Sequence, residues 1–271
     1  MASTKDMIER QFDASAPAYD RTGPSVYAQF GRRLAEQVPL TPQARVLDVA
    51  TGTGAALVPV ALRLGPEGRA TAIDLSGGML QEAERAVKAA GLAHIELRKM
   101  DAERLEFPDE AFDAVLCSHG IFLFPDRDLA LREIYRVTKA GGRAALSVFG
   151  NTPPAFTPAW GLLANQLEAY EVAVPVPNPL AYFTPEEMSE LLTQVGFVSV
   201  EARSETSEAV YRSDEEWWAF LLTMAPRPAL MSMDEDTRTR FQQEYFDVLR
   251  PLFGEDGLHL QVSMVYAVAQ R

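Results

Sequence analysis

The sequence predicts an α/β protein built on a doubly wound, mostly parallel sheet with an antiparallel last strand and a helical cover. Three observations carry this. Between residues 45 and 150 short apolar runs alternate with helix-periodic segments, the pattern of successive βαβ units. A glycine turn, Gly52-Thr53-Gly54, follows the first of these runs. A long β-prone run, LHLQVSMVYAVA, lies near the end of the chain.

Ala44 to Ala50 (ARVLDVA) reads as a buried strand, and Gly54 to Leu64 as the helix after the glycine turn, with Pro59 in its opening turns. Ala70 to Leu75 is a second strand. A helix from Gly78 to Ala90 follows, with Met79, Leu80, Ala83 and Val87 on one face and Gly91 as its stop. His94 to Met100 alternates with period two as a half-buried strand, whereas Ala111 to Ser118 is continuously apolar, as a central strand should be. A helix from Asp126 to Lys139 is expected to end at Gly141 and Gly142, and Arg143 to Phe149 forms the fifth strand. In such a sheet the ligand crevice lies at the carboxyl ends of the strands.

After Gly150 the chain turns proline-dense and aromatic (NTPPAFTPAW, VAVPVPNPLAYF), which predicts an irregular substrate lid rather than another sheet layer. Thr184, Pro185 and Glu187 make a capping box with proline at the first helical position, Gly196 closes that helix, and Phe197 to Ala202 reads as a strand. Ser213 and Glu216 form a second capping box before WWAFLLTM, and Phe241, Tyr245, Phe246 and Leu249 are spaced as one helical face. The run MDEDTRTR is a solvated helix start. The expected partition is an N-terminal helical cover (1–43), a ligand-binding core (44–150), a lid segment (151–183), a core helix and strand (184–203), a helical lid insertion (204–257) and a last core strand (258–271). That last strand is expected to pair antiparallel with residues 197–202. No internal repeat or low-complexity tract occurs.

Composition narrows the partners. Hydrophobic residues are 47% and charged residues 23% of the 271, which excludes disordered and collagenous chains. With 25 Lys and Arg against 38 Asp and Glu, the net charge of −13 repels a phosphate backbone, so nucleic acid and anionic membranes are poor partners. A single cysteine, Cys117, and no apolar run of leader or membrane-span length predict a cytoplasmic protein. Cys117, inside an apolar strand, reads as an inert buried thiol. The scattered His94, His119 and His259 give no spacing for a dedicated metal site. Self-association is left open, because an aromatic cover serves a partner subunit as readily as a substrate.

The most informative segment is VLDVATGTG, Val46 to Gly54: an acid at a strand end, then a glycine turn, then a helix. Glycines let the backbone turn tightly and approach a ligand. A dinucleotide fingerprint would place a third glycine where Leu57 stands, which weakens a nicotinamide reading. Asp74 ends the second strand, 74 − 52 = 22 residues after the turn, where a ribose-binding carboxylate belongs. Asp101 follows the third, placed to accept a hydrogen bond from an adenine amino group. Three acids ending three adjacent strands suit a cationic ligand.

With VLDVATGTG, TAIDLSGGML, KMDAERLEFPDEAFDAV and LREIYRVTKAGGRAALSVF in order over residues 10–150, the sequence resembles the class I S-adenosylmethionine-dependent methyltransferases. The similarity is strongest to the small-molecule branch that includes the ubiquinone and menaquinone C-methyltransferases. The resemblance implies a Rossmann-like methyltransferase fold, S-adenosylmethionine as cofactor, and methyl transfer to C, O or N of a small, apolar or aromatic acceptor in secondary metabolism or quinone-like biosynthesis. It implies that Asp48, Ala50, Gly52 and Gly54 surround the methionine part, that Asp74 holds the ribose hydroxyls, and that Leu75 and Met79 pack on the adenine. Met100, Asp101 and Ala102 would complete the adenine pocket, while Ser118 and His119 would face the sulfonium and Tyr19 would reach the cofactor from the N-terminal cover. Ala50 replaces the usual first glycine of the turn, which demands a conformation an L-residue can adopt. SHGIFLFPD departs from the residues of the quinone enzymes after the fourth strand.

Alignment of nucleophile, methyl and sulfur dominates such a reaction. Where a base is needed, His119 is the histidine expected at the crevice, against the alternative of a loop imidazole bonded to backbone. Trp160, Trp217 and Trp218 all fall in the cover, which suggests an aromatic substrate pocket or the cover's own packing. Two other readings stay open: a protein that uses the bound cofactor as a scaffold for a rearrangement, and a nicotinamide oxidoreductase.

Overall fold

The protein is described by a computed structural model over residues 3–21, 23–151, 156–173, 182–224 and 226–271. Seven strands form one sheet in the order β3-β2-β1-β4-β5-β7-β6. They are β1 (Arg45–Val49), β2 (Arg69–Asp74), β3 (Ile95–Lys99), β4 (Phe112–Ser118), β5 (Thr138–Phe149), β6 (Val198–Tyr211) and β7 (Leu258–Gln270). β1 to β5 pair parallel, and β7 runs antiparallel to both β5 and β6. The order reverses between β1 and β4, the switch point at which an open α/β sheet leaves a crevice. Burial follows position: β1 and β4 are almost wholly buried, whereas β3, at the edge, is mostly exposed.

Helices cover both faces. On one side lie α2 (Val26–Gln37) and α3 (Leu57–Ala61), with the later cover helices α6 (Ala159–Ala169), α8 (Asp214–Leu221), α9 (Arg227–Ser232) and α10 (Glu235–Leu249) in the same apolar cluster. On the other lie α5 (Arg127–Val137) and α7 (Pro185–Val195). α1 (Thr4–Ser15) and α4 (Gly77–Ala89) flank the crevice. α4 begins where Ser76 Oγ accepts the Met79 N–H at 3.0 Å, and Gly91 follows it at φ +67°. α7 has the expected reciprocal box between Thr184 and Glu187, and Gly196 ends it in the left-handed region at φ +117°.

Several elements depart from the sequence reading. The helix expected over Gly54 to Leu64 is only Leu57–Ala61, because residues 51–56 are turns and Pro59 cannot donate to the ladder. α5 ends at Val137, not at the glycines. Thr138 turns extended at ψ 132° and opens β5, so Gly141 and Gly142 lie within the strand, where they exchange hydrogen bonds with Arg271. β6 continues past Ala202 to Tyr211, pairing with β7 as far as Tyr211↔Leu258. Its polar sequence, EARSETSEA, suits an exposed edge and hides the strand from an apolar-run criterion. At α8 only half of the expected box forms. Ser213 caps the Glu216 N–H, while Glu216 Oε2 accepts from the Arg212 N–H at 2.5 Å instead of closing on Ser213.

The tryptophans build the cover's own core. Trp217 is fully buried and donates from Nε1 to Tyr245 Oη at 2.8 Å, and that hydroxyl donates to the Ala159 carbonyl. Trp218 packs on Phe241 and Phe246. Neither they nor the half-buried Trp160 lines the crevice, so packing, not a tryptophan-walled pocket, accounts for them. Among the described residues no helix is long and apolar enough to cross a membrane.

Candidate active site

β1 carries the chain through the switch point and into the turn. Asp48 is buried beneath it: Oδ2 accepts the Thr51 hydroxyl at 2.7 Å, and Oδ1 is buried with no hydrogen-bond partner. Burial, with the nearby Asp74 carboxylate adding to it, pushes the Asp48 carboxyl up to about 7. Ala50 then adopts φ +54° and Gly52 φ +56°. The alanine at the first glycine position is therefore not in an ordinary L-residue conformation. It takes the left-handed one that glycine adopts without penalty.

Asp74 ends β2 and ties the turn to its neighbour, with Oδ2 accepting the Gly52 N–H at 2.8 Å and Oδ1 the Ser76 N–H at 2.9 Å. Burial raises its carboxyl to about 6 against the pull of these donors. Asp101, after β3, accepts the Glu103 N–H at 2.9 Å and the Lys5 ammonium at 2.6 Å. Lys5 also pairs with Glu103. α1 thus lies across this end of the crevice, held further by Glu9 to Lys99 and by Asp13, which accepts from Ser76 Oγ and the Gly78 N–H.

Beyond β4 the chain turns sharply at His119, φ +57°. Its imidazole is buried among Tyr27, Phe30 and Phe149, with ring centroids 5.6, 5.3 and 4.9 Å away. Nδ1 lies 3.4 Å from both Ser118 Oγ and Ser147 Oγ, and Nε2 lies 3.3 Å from Met264 Sδ. Burial pushes the imidazole down to about 3, so it is neutral at physiological pH, unlike the near-neutral base the sequence suggested. Burial likewise holds the Cys117 thiol up at about 12.

These groups surround one cavity at the carboxyl ends of the strands. Tyr19, Ala50, Gly52, Asp74, Leu75, Met79, Met100, Asp101, Ala102, Ser118 and His119 all line it. Asp48 lies under the turn, and Gly54 opens onto an adjacent groove instead. Sequence reasoning missed Lys5, Ile8 and Phe12 of α1, Tyr27 of α2, and Leu123, Phe124 and Pro125 after β4. The aromatic content of FDASAPAYDRTGPSVYAQF was the available signal for the first group. Tyr19 and Tyr27 stack at 4.9 Å and 18°. Among the described residues no set of three or more His, Cys, Asp or Glu is placed to hold a metal.

Comparison with known proteins agrees with this geometry. The family described as "Methyltransferase domain" matches residues 46–142. An aklanonic acid methyltransferase of Streptomyces sp. (strain C5) is 37% identical over 165 residues, 58% of this chain and 74% of the relative. A demethylmenaquinone methyltransferase of Geobacillus kaustophilus is 30% identical over 225 residues, 75% of this chain and 94% of the relative. Among solved structures, a putative methyltransferase of Bacillus halodurans superposes with a TM-score of 0.60 at 20% identity, over 89% of this chain and 98% of that one. The (4+2)-cyclase SpnF does so with a TM-score of 0.62 at 18% identity, over 99% and 97%. The protein is an enzyme that binds S-adenosylmethionine and transfers its methyl group to a small-molecule acceptor. The chain belongs to the class I S-adenosylmethionine-dependent methyltransferases and is related to their small-molecule and menaquinone-type C-methyltransferases.

Proposed function

We propose that the acceptor is an apolar or aromatic molecule of secondary metabolism or quinone-like biosynthesis, methylated in the chamber between His119, Tyr27 and Phe124. The names of the two curated relatives, for aklanonic acid and demethylmenaquinone, support that class of acceptor. So does the wall itself. Tyr27, His119, Leu123 and Phe124 present rings and hydrocarbon, and Lys5, the one lysine or arginine lining the cavity, sits at the far end with Asp101.

The observation that carries the cofactor assignment is the pair of carboxyl groups at the switch point, Asp48 buried and Asp74 half-buried. Asp48 Oδ1 has no partner, and neither Asp48 nor Asp74 is ion-paired to a cation among the described residues. A cationic ligand rich in hydrogen-bond donors answers that deficit. When bound, S-adenosylmethionine supplies a methyl group activated by its sulfonium leaving group. Asp74 would hold the ribose hydroxyls. Asp101, Met100 and Ala102 would meet the adenine edge, with Leu75 and Met79 against its face. Asp48, Ala50, Gly52 and Gly54 would surround the methionine part. Tyr19, Ser118 and His119 would close the sulfonium end.

In this arrangement the chain works by orientation and exclusion of water. Tyr19, Tyr27 and Phe12 line the cavity from the cover, and the buried His119, made a weak base by desolvation, forms a wall beside Ser118. Residues 44–150 serve as the cofactor core, 1–43 and the α8–α10 insertion as the cover, and the lid segment 151–183 lies partly outside the described residues. The single buried thiol suits a reducing, cytoplasmic setting.

The test is calorimetric titration with S-adenosylmethionine, S-adenosylhomocysteine and NADH, followed by methyl release with a panel of phenols, quinols and acidic-carbon acceptors. Asp74→Ala should weaken both adenosyl ligands at least tenfold, about the ~1.5–3 kcal/mol of one hydrogen bond to a charged group. Binding of NADH alone would refute the site assignment. Methyl release only with charged, polar acceptors would refute the acceptor class.

A further inference from the structure

At the opposite end of the sheet, the amino ends of β1 and β2 place Arg45 and Arg69 in register as direct neighbours. Like charges so placed repel one another. On a chain of net charge −13 this pair is conspicuous, because neither guanidinium has an ion-pair partner among the described residues. Arg69 Nη1 donates only to the Pro66 and Gly68 carbonyls at 2.8 and 2.7 Å. Arg45 has its Cζ 6.0 Å from the centroid of the Phe112 ring. Asp113 accepts the Arg45 main-chain N–H and the Lys139 ammonium and feels the Arg45 charge as well, and Glu96 is paired with Arg98.

Both arginines line one open cavity, together with Thr71, His94, Phe112 and Glu96. His94 Nε2 is buried there with no hydrogen-bond partner. Two neighbouring, solvent-exposed guanidinium groups without a close ion pair, beside an imidazole nitrogen without a hydrogen-bond partner, suit an oxyanion at the strand ends. We propose that this cavity binds a phosphate-class oxyanion, free or as a monoester, at a site separate from the methyl-transfer crevice. Arg45 and Arg69 would supply the charge and His94 one hydrogen bond.

The test is thermal unfolding of the full chain at pH 7 in rising inorganic phosphate, with chloride holding ionic strength constant. A parallel series in phenyl phosphate separates a free anion from a monoester. A saturable rise in Tm is expected in the wild type and is lost in both Arg45→Gln and Arg69→Gln. Arg45→Gln should be as stable as the wild type, or more so, without phosphate, because it relieves repulsion and its guanidinium makes no hydrogen bond. S-adenosylhomocysteine affinity should be unchanged in both variants, which shows that they fold. A response that does not saturate, or one that both variants retain, would overturn the proposal.

Discussion

Binding of the cofactor product should release protons, because the carboxyls of the buried Asp48 and the half-buried Asp74 are both raised. Asp48 titrates at about 7 and Asp74 at about 6, both above the usual 3.8 because burial penalises the ionised form. For such acids the folded chain binds more protons than the unfolded one. Their contribution to stability is complete below the unfolded value of 3.8 and is lost as pH rises through about 6 and then about 7. Ligand binding has the opposite sign, since donors and positive charge favour the ionised carboxylates. At pH 6.5 both carboxyls lie near their titration range and are partly protonated, so protons should leave when both become carboxylates. Calorimetric titration with S-adenosylhomocysteine at pH 6.5, in buffers of different ionisation enthalpy, reads this directly. The apparent heat should vary with buffer with a slope that reads proton release, at most two protons for the two carboxyls, and should lose that dependence as the pH rises above both values. The affinity should rise with pH across the same window. Asp48→Asn should reduce the released protons. A heat independent of buffer at pH 6.5 would mean that the carboxyls do not change state on binding, and the reasoning would fail.

Other outcomes follow from particular contacts. A Cβ added at Gly120 would meet Ala50 Cβ at 2.7 Å and Cys117 Sγ at 2.9 Å, although φ −98° suits any residue. Gly120→Ala should therefore destabilise by about 1–3 kcal/mol in urea unfolding. Ala50→Gly should recover part of that loss, and strictly additive effects would refute the steric account. Lys5→Met removes the pairs to Asp101 and Glu103 that hold α1 across the cavity. Ligand dissociation in stopped-flow displacement should quicken about two- to fivefold, as expected for a surface pair of ~0.5–1 kcal/mol, and lose most of its salt dependence. An unchanged rate would leave α1 without that role. The kcat profile against pH should show no inflection near neutrality that disappears in His119→Asn, since the imidazole is held near 3. Such a loss would make His119 the base after all.

The sheet was legible because its information is local. Buried strands such as ARVLDVA and FDAVLCS are short apolar runs between turn residues, and the acids at their ends mark where the ligand side lies. What escaped was set by tertiary placement. β6 is polar because it is an edge, so nothing in EARSETSEA marks it as a strand until β7 lies beside it. Lys5 reads as one surface cation in a helix start, and only the folded chain puts it on Asp101, 96 residues away. The environment of His119 was not legible. Its neighbours Phe30, Phe149 and Met264 come from three distant elements that together strip it of water.

Ala50 and His119 illustrate one further step. They lie after adjacent strands, β1 and β4, and both are non-glycine residues held at positive φ, at +54° and +57°. Each such residue costs about 1–2 kcal/mol, and the unpartnered Asp48 Oδ1 adds a desolvation penalty at the same spot. Two of the eight non-glycine residues at positive φ among the described residues thus flank the switch point, where the buried strands β1 and β4 can over-determine a strained turn. A floor fixed in this way leaves little freedom to suit different acceptors. Selectivity for the acceptor then has to reside in the side chains that reach the chamber from outside the strands, Tyr27 of α2 and Phe124 after β4. Substitution at those two positions, rather than at the carboxylates, should change which molecule is methylated while leaving affinity for S-adenosylhomocysteine in place.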